Sequence, residues 1–163
     1  MPPVFDGWFL TNQCQNKIIG LKMKIGIADT TFARIDMAKF AINVIKKKSK
    51  HKIERYTVPG FKDLPVACKI LFDKHKCDIV MAFGMAGTKE IDKQCSHESS
   101  LGIQQAQLMA GKHILEIFIH PDEAKSNKEL YKIAKNRSEK HALNALALLK
   151  SKTELTKNAG MGI

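Results

Sequence analysis

The sequence predicts an α/β protein with a four-stranded parallel sheet in the order 2-1-3-4 and helices on both faces. Two observations carry this. Short apolar runs alternate with amphipathic stretches as βαβαβαβα over residues 23–150. Strands separated by helices pair in parallel through right-handed crossovers. In addition, "DIVMAFG" at 78–84 is apolar throughout, as expected for a central strand covered on both faces.

Each element has its own warrant. "MKIGIAD", 23–29, is a short run dense in Ile and reads as the first strand. From Ile35 to Lys48 the apolar residues recur on one helical face. "KIERYTV", 52–58, alternates Ile53, Arg55 and Thr57 against Glu54, Tyr56 and Val58, the pattern of a half-exposed edge strand. Pro65 to His75 reads as a helix through Val66, Ala67, Ile70 and Leu71. Gly84 to Cys95 reads as a polar loop, and Ser96-His97-Glu98-Ser99 opens a helix that stops at Gly111. "HILEIFIH", 113–120, is the fourth strand, and Lys128 to Lys150 the final helix. The flavodoxin-like strand order places a ligand crevice beyond the carboxyl ends of the strands, between the first and third.

Residues 1–22 lack the uninterrupted apolar core of a signal peptide, because Asp6, Asn12, Gln13, Gln15 and Asn16 break the segment. They are expected to be a poorly ordered extension, from an upstream start codon or an added segment, ahead of a single domain at 23–163. No apolar run is long enough to span a bilayer, which points to a cytoplasmic protein with no membrane partner.

The net charge is +11, and the lysine excess concentrates in "KKKSKHK", Lys46 to Lys52, at a predicted helix end. There cations complement the helix dipole as a solvated cap. The competing reading is an anion-binding patch. Aromatics do not alternate with the basic residues, so stacking on nucleic-acid bases is not expected. The cysteines, Cys14, Cys68, Cys77 and Cys95, show neither a C-x-x-C pair nor zinc spacing. Reduced thiols are expected, with Cys68 and Cys77 in the core. His51, His75, His113, His120 and His141 are scattered without an H-E-x-x-H pair, so no protein-built metal site is expected.

Three loops meet at the predicted crevice. "DTTFARID", 29–36, puts Phe32 among polar residues, where its ring could stack on a heteroaromatic ligand or staple the following helix. Asp29 lacks the acidic pair and lysine of a phospho-acceptor site. "PGFKDLP", 59–65, packs an apolar, a cationic and an anionic side chain into Phe61, Lys62 and Asp63. "GMAGTKEIDKQCSHESS", 84–100, offers Gly84, Ala86 and Gly87, small residues that let backbone N–H groups approach a ligand. His97 could exchange a proton with Glu98 holding its ring, or be a solvated side chain at a capped helix start. There is no G-x-G-x-x-G after the first strand and no G-x-x-x-x-G-K-[ST], which argues against dinucleotide or nucleoside triphosphate binding.

Taken together, "IADTTFARIDMA", "TVPGFKDLPVACK", "CDIVMAFGM" and "SHESSLGIQQAQLM" resemble the archaeal riboflavin synthases, relatives of the lumazine synthases that share their three-layer fold. The resemblance spans nearly all of residues 23–163. It implies a transferase acting on two molecules of 6,7-dimethyl-8-ribityllumazine. A four-carbon unit moves between them, giving riboflavin and the ribitylamino-pyrimidinedione. It implies that Phe32 stacks on a ring, with Thr30 and Thr31 on the same wall. Pro59, Gly60, Phe61, Lys62 and Asp63 would hold the ribityl chain and ring edge. Backbone amides of Met85, Ala86 and Gly87 would bind pyrimidine oxygens. His97 is the acid/base candidate, with Glu98 or Lys93 as helpers. The resemblance also implies a homo-oligomer, a pentamer with sites between subunits, in which His120 reaches a neighbour's ligand. No tightly bound cofactor is implied. Divalent magnesium is associated with the family, although no ligand cluster for it is visible in the sequence.

Two alternatives stand beside this. A lumazine synthase would need a histidine after the third strand and a phosphate-binding cation at the last helix. Here Lys89, Glu90 and Ile91 fall at the first position and Glu129 at the second. A non-catalytic flavin- or nucleic-acid-binding module would draw instead on the basic surface.

Overall fold

The computed structural model describes residues 21–162. The expected extension, save its last two residues, lies outside the described residues. Four strands form the sheet: β1 (Lys24–Thr30), β2 (Lys52–Val58), β3 (Ile79–Met85) and β4 (Ile114–Ile119). Their order is β2-β1-β3-β4 and every pairing is parallel. The helices are α1 (Met37–Lys48), α2 (Leu64–Asp73), α3 (Glu90–Ala110) and α4 (Asn127–Lys150).

Burial explains the order. All seven residues of β3 are buried, so its continuous apolar run needs cover on both faces. In β2 only Val58 is buried, which fits an edge position. Two apolar layers sandwich the sheet. On one side Met37, Ala38, Ala41 and Ile45 of α1 meet Leu130, Ala134, Ala142 and Ala145 of α4 over Ile25, Ile27 and Met81. On the other, Leu64, Ala67 and Leu71 of α2 and Ile103 and Ala106 of α3 cover Ala28, Val80 and Ala82. Helices α2 and α3 pack closely: a Cβ on Gly102 would lie 2.7 Å from Pro65. Cys68 and Cys77 are fully buried here, and burial pushes their thiols up to about 12 and about 11.

Helix ends follow local chemistry. Asp36 caps α1 by accepting from the Lys39 amide at 3.1 Å, and Lys46, Lys47 and Lys48 occupy its last turn. Ser126 caps α4 by accepting from the Glu129 amide at 3.2 Å. Gly111 closes α3 in the left-handed region at φ 59°, as its position in the sequence suggests.

One expected boundary is corrected. Helix α3 begins at Glu90, not at Ser96. Its first turn carries Glu90 and Asp92, anions suited to the positive helix end. Asp92 also accepts from the Lys89 amide at 3.1 Å. That turn buries no apolar residue and exposes Ile91, so hydrophobic periodicity could not reveal it. His97 and Glu98 therefore sit in the second turn and beyond, not at a capped helix start.

Asp29 is 6% exposed and is held by Arg55, through Nη2 at 2.5 Å and Nε at 3.3 Å, and by the Thr57 hydroxyl at 2.7 Å. Arg55 also reaches Asp36 at 2.9 Å, so one guanidinium in the middle of β2 joins the end of β1 to the start of α1. Asp29→Ala should destabilise the protein by about 1–2 kcal/mol, since it removes the Arg55 and Thr57 hydrogen bonds of a mostly buried carboxylate while Arg55 keeps Asp36 and some solvent. A urea melt measures this, and a loss below about 1 kcal/mol would mean the network is decorative.

Candidate active site

The predicted crevice exists, but it is split. A cavity of about 360 Å³ is lined by Phe32, Pro59, Gly60, Phe61, Lys62, Asp63 and Gly87, together with Asp92 and Cys95. Seven expected residues thus meet in one hollow. A second hollow of about 480 Å³ takes Lys93, His97 and His120, with Ser100, Glu116 and Phe118. Helix α3 is the wall between them: Asp92 and Cys95 face the first hollow, and Lys93, His97 and Ser100 the second.

Phe32 is 56% exposed. Its ring is not tucked against α1 as a staple, which leaves a broad aromatic surface at the mouth of the first hollow. Phe61 is different. It is 6% exposed and belongs to the α2–α3 core. Its ring meets Phe118 edge-on, with centroids 4.6 Å apart. A Cβ on Gly84 would collide with the Phe61 ring, so this glycine serves side-chain packing rather than ligand approach. Phe61 contributes little open surface to a ligand wall. It is a wedge that fixes the turn carrying Lys62 and Asp63.

That turn is a short 3-10 segment, Phe61–Asp63. The buried Ser99 hydroxyl donates to the Phe61 carbonyl at 2.7 Å, tying the turn to α3. Lys62 forms an ion pair with Glu98, not with its neighbour Asp63. Glu98 also accepts from Gln94 at 3.0 Å, so its carboxylate spans the turn and α3 instead of holding the His97 ring. Asp63 makes no side-chain cap on α2. Asp63 lines the cavity beside Lys62.

The remaining expected residues separate by role. Thr30 is buried, with its hydroxyl unpartnered. With Thr31 it borders a smaller hollow of about 230 Å³ beside the Arg55 network, apart from the Phe32 cavity. The Thr31 amide donates to Val58 O at 2.9 Å and its hydroxyl to Pro59 O at 3.3 Å, stitching the first loop to the second. Met85 is buried in the α1–α4 core. The Ala86 amide donates to Ile119 O at 2.9 Å, so it is committed to the sheet. At Gly87 a Cβ would meet the Asp92 carboxylate, which would have to move aside. Lys93 pairs with Asp122 at 2.9 Å, and the hydrogen bond it donates to that carboxylate holds the lysine above its ordinary value. The His120 amide donates to Glu123 at 2.8 Å, and its Nδ1 is buried without a partner.

The sequence reading missed Glu116, Ser100, Asp92 and Cys95. Glu116 left a visible signal: it is a carboxylate in the middle of the otherwise apolar "ILEIFI". Among the described residues no group of three or more His, Cys, Asp or Glu could hold a metal ion. A magnesium ion at the site would therefore draw on one or two carboxylates, completed by water and substrate oxygens, rather than on a protein-built cluster. No helix among the described residues is long and apolar enough to cross a membrane. A larger hollow of about 630 Å³, lined by Lys48, Lys50, His51 and Leu149, lies at the amino ends of the strands, away from the crevice.

The family model for 6,7-dimethyl-8-ribityllumazine synthase matches residues 22–153. The chain belongs to the lumazine synthase family. Curated relatives of this family member carry the name riboflavin synthase. The protein from Methanothermobacter thermautotrophicus is 52% identical over 142 residues, covering 86% of this chain and 93% of that protein. The one from Archaeoglobus fulgidus is 47% identical, covering 86% and 92%. The one from Aeropyrum pernix is 40% identical, covering 85% and 90%. The strand order and the coverage agree with this family.

Ser99→Ala should cost about 1–3 kcal/mol, because it leaves the Phe61 carbonyl without its donor next to the core. Gly84→Ala should cost a comparable amount by displacing the Phe61 ring. Denaturant midpoints measure both. If Gly84→Ala loses nothing, Phe61 does not act as a wedge.

Proposed function

We propose that this chain is a riboflavin synthase: two molecules of 6,7-dimethyl-8-ribityllumazine exchange a four-carbon unit, yielding riboflavin and 5-amino-6-ribitylamino-pyrimidinedione. The two substrates together contain every atom of the two products, so no oxidant, reductant or third reactant is required. The single observation that supports this most is the first hollow. It is sized for one ring system and flanked by the exposed Phe32 face, and it lies on the turn that carries Lys62 and Asp63.

The roles follow from chemistry. Phe32 stacks on a lumazine ring. Asp63 accepts hydrogen bonds from ribityl hydroxyls. Lys62, held by Glu98, polarises a ring carbonyl. The Gly87 amide and the loop behind it meet the pyrimidine edge. Aligning two rings at a fixed distance supplies much of the rate, because the reaction between two bound molecules becomes effectively intramolecular. The C7 methyl of the lumazine is acidic, since its anion delocalises into the pteridine, so proton transfer needs only a modest base. His97 and the other groups of the second hollow are the candidates for that work. They lie across α3 from Phe32 within one chain. The reading therefore includes a pentamer, in which the second hollow of one subunit, with His120 and Lys93, closes over the first hollow of its neighbour. It also includes a cytoplasmic enzyme.

A lumazine synthase would have to bind a phosphorylated ketone. Glu129, in the first turn of α4, accepts from the Lys125 amide at 2.7 Å. An anion at that position repels phosphate, which favours the riboflavin reading.

Incubation of the protein with 6,7-dimethyl-8-ribityllumazine alone should produce riboflavin fluorescence. No product between acid and alkaline pH overturns the proposal. Phe32→Ala should raise the dissociation constant for the lumazine by about tenfold, a loss near 1.4 kcal/mol, while leaving the melting temperature unchanged. His97→Ala should lower turnover more than binding. An unchanged rate would leave His97 as a solvated helix residue.

A further inference from the structure

We infer that Glu116 is the group that takes and returns the proton during four-carbon transfer, with Ser100 holding one of its oxygens and His120 lining the same hollow. This rests on the riboflavin synthase reading and names a residue for its proton step.

The geometry sets Glu116 apart. It lies on β4 between Ile114 and Phe118 in the row of residues that faces α2 and α3. An apolar residue would be the stable choice in that row. A carboxyl group there is costly unless it is paired, and it has little to pair with. The Ser100 hydroxyl donates to its Oε1 at 2.7 Å. Glu116 lines the hollow of about 480 Å³. Such retained cost at a partly open cavity is a mark of function.

The surrounding charges are mixed. His97 and Lys93 face the hollow from α3, and His120, Asp122 and Glu123 from the end of β4 and beyond. The neutral Cys68 thiol lies nearby on α2. Arg137 of α4 donates to Phe118 O at 2.8 Å and pairs with Glu123. Lys93 is already committed to Asp122. Burial holds the Glu116 carboxyl above its ordinary value, opposed by the Ser100 hydrogen bond and by His120. A carboxylate so raised is a better base than an ordinary one near neutral pH. His97, by contrast, is exposed, and its ring is not held by Glu98.

The step balances. A C–H bond of the C7 methyl breaks and an O–H bond forms on Glu116. The electron pair stays on the lumazine, delocalised into its ring. The same carboxyl group returns the proton when the diaminopyrimidine product departs.

The test uses the full-length protein, 6,7-dimethyl-8-ribityllumazine and the variants Glu116→Gln and Glu116→Asp. Glu116→Gln keeps size and polarity but cannot accept the proton. Its kcat should fall about 100-fold or more, with KM within about threefold of wild type. Wild-type kcat should rise with pH through the carboxyl titration, above the usual carboxylate range. That limb should vanish in Glu116→Gln and persist, at a lower plateau, in Glu116→Asp.

A stability measurement independent of turnover accompanies this. Because the folded carboxyl titrates above its unfolded value, the folded state holds the proton more tightly. Wild type therefore loses stability as pH rises through that window, and the loss is absent at lower pH. Glu116→Gln should escape it, so its Tm advantage over wild type should be larger at pH 8 than at pH 4.

A Glu116→Gln protein within threefold of wild-type kcat, or one that keeps the acid limb, overturns the inference while leaving the function intact. If wild type makes no riboflavin, both fall together.

Discussion

The site depends on where one ring is placed. Phe61 leaves its turn and enters the α2–α3 core, where Gly84 makes room for it and Phe118 meets its edge. Ser99 holds its carbonyl from the side. These contacts leave the turn one orientation, and so Lys62 and Asp63 emerge at the cavity in a fixed relation. The rigidity comes from apolar packing, which is insensitive to salt and pH. Polar groups with functional work are thus mounted on a support that does not titrate.

A second lock works at right angles to the first. Arg55 binds Asp29 and Asp36 at once, and Thr31 ties the first loop to Val58 and Pro59. The loop that carries Phe32 is thereby anchored to β2 and to its following turn. Phe32 itself stays exposed because its neighbours are fastened by hydrogen bonds that do not need its ring. The two locks bring the ring surface and the turn to the same hollow from different strands, at the point where the strand order reverses.

Sheet order and most elements were legible because they rest on burial. The uniformly apolar β3 could only be central, and the alternating β2 could only be an edge. The start of α3 was illegible, since Glu90 to Cys95 contribute electrostatics and capping to the helix but little apolar periodicity. Phe61 looked like an open ligand wall, because a sequence cannot reveal that Gly84 and Phe118, remote along the chain, make a slot for its ring. The separation of His97 from Phe32 was equally invisible, since it depends on the phase of α3. Glu116 was legible in principle. A carboxylate inside an apolar strand breaks the very pattern that identifies the strand.

The early start of α3 carries one more consequence. A helix turns each successive residue by about 100°, and this one shows Asp92 and Cys95 to one chamber and Lys93, His97 and Ser100 to another. A residue gained or lost within its first two turns would rotate everything after it out of phase. Ser99 would swing off Phe61, and Ser100 off Glu116. An insertion at Thr88, ahead of the helix, would leave that phase unchanged. Tolerance to insertion should therefore change abruptly at Lys89, with the helix acting as a gear whose teeth engage two chambers at once.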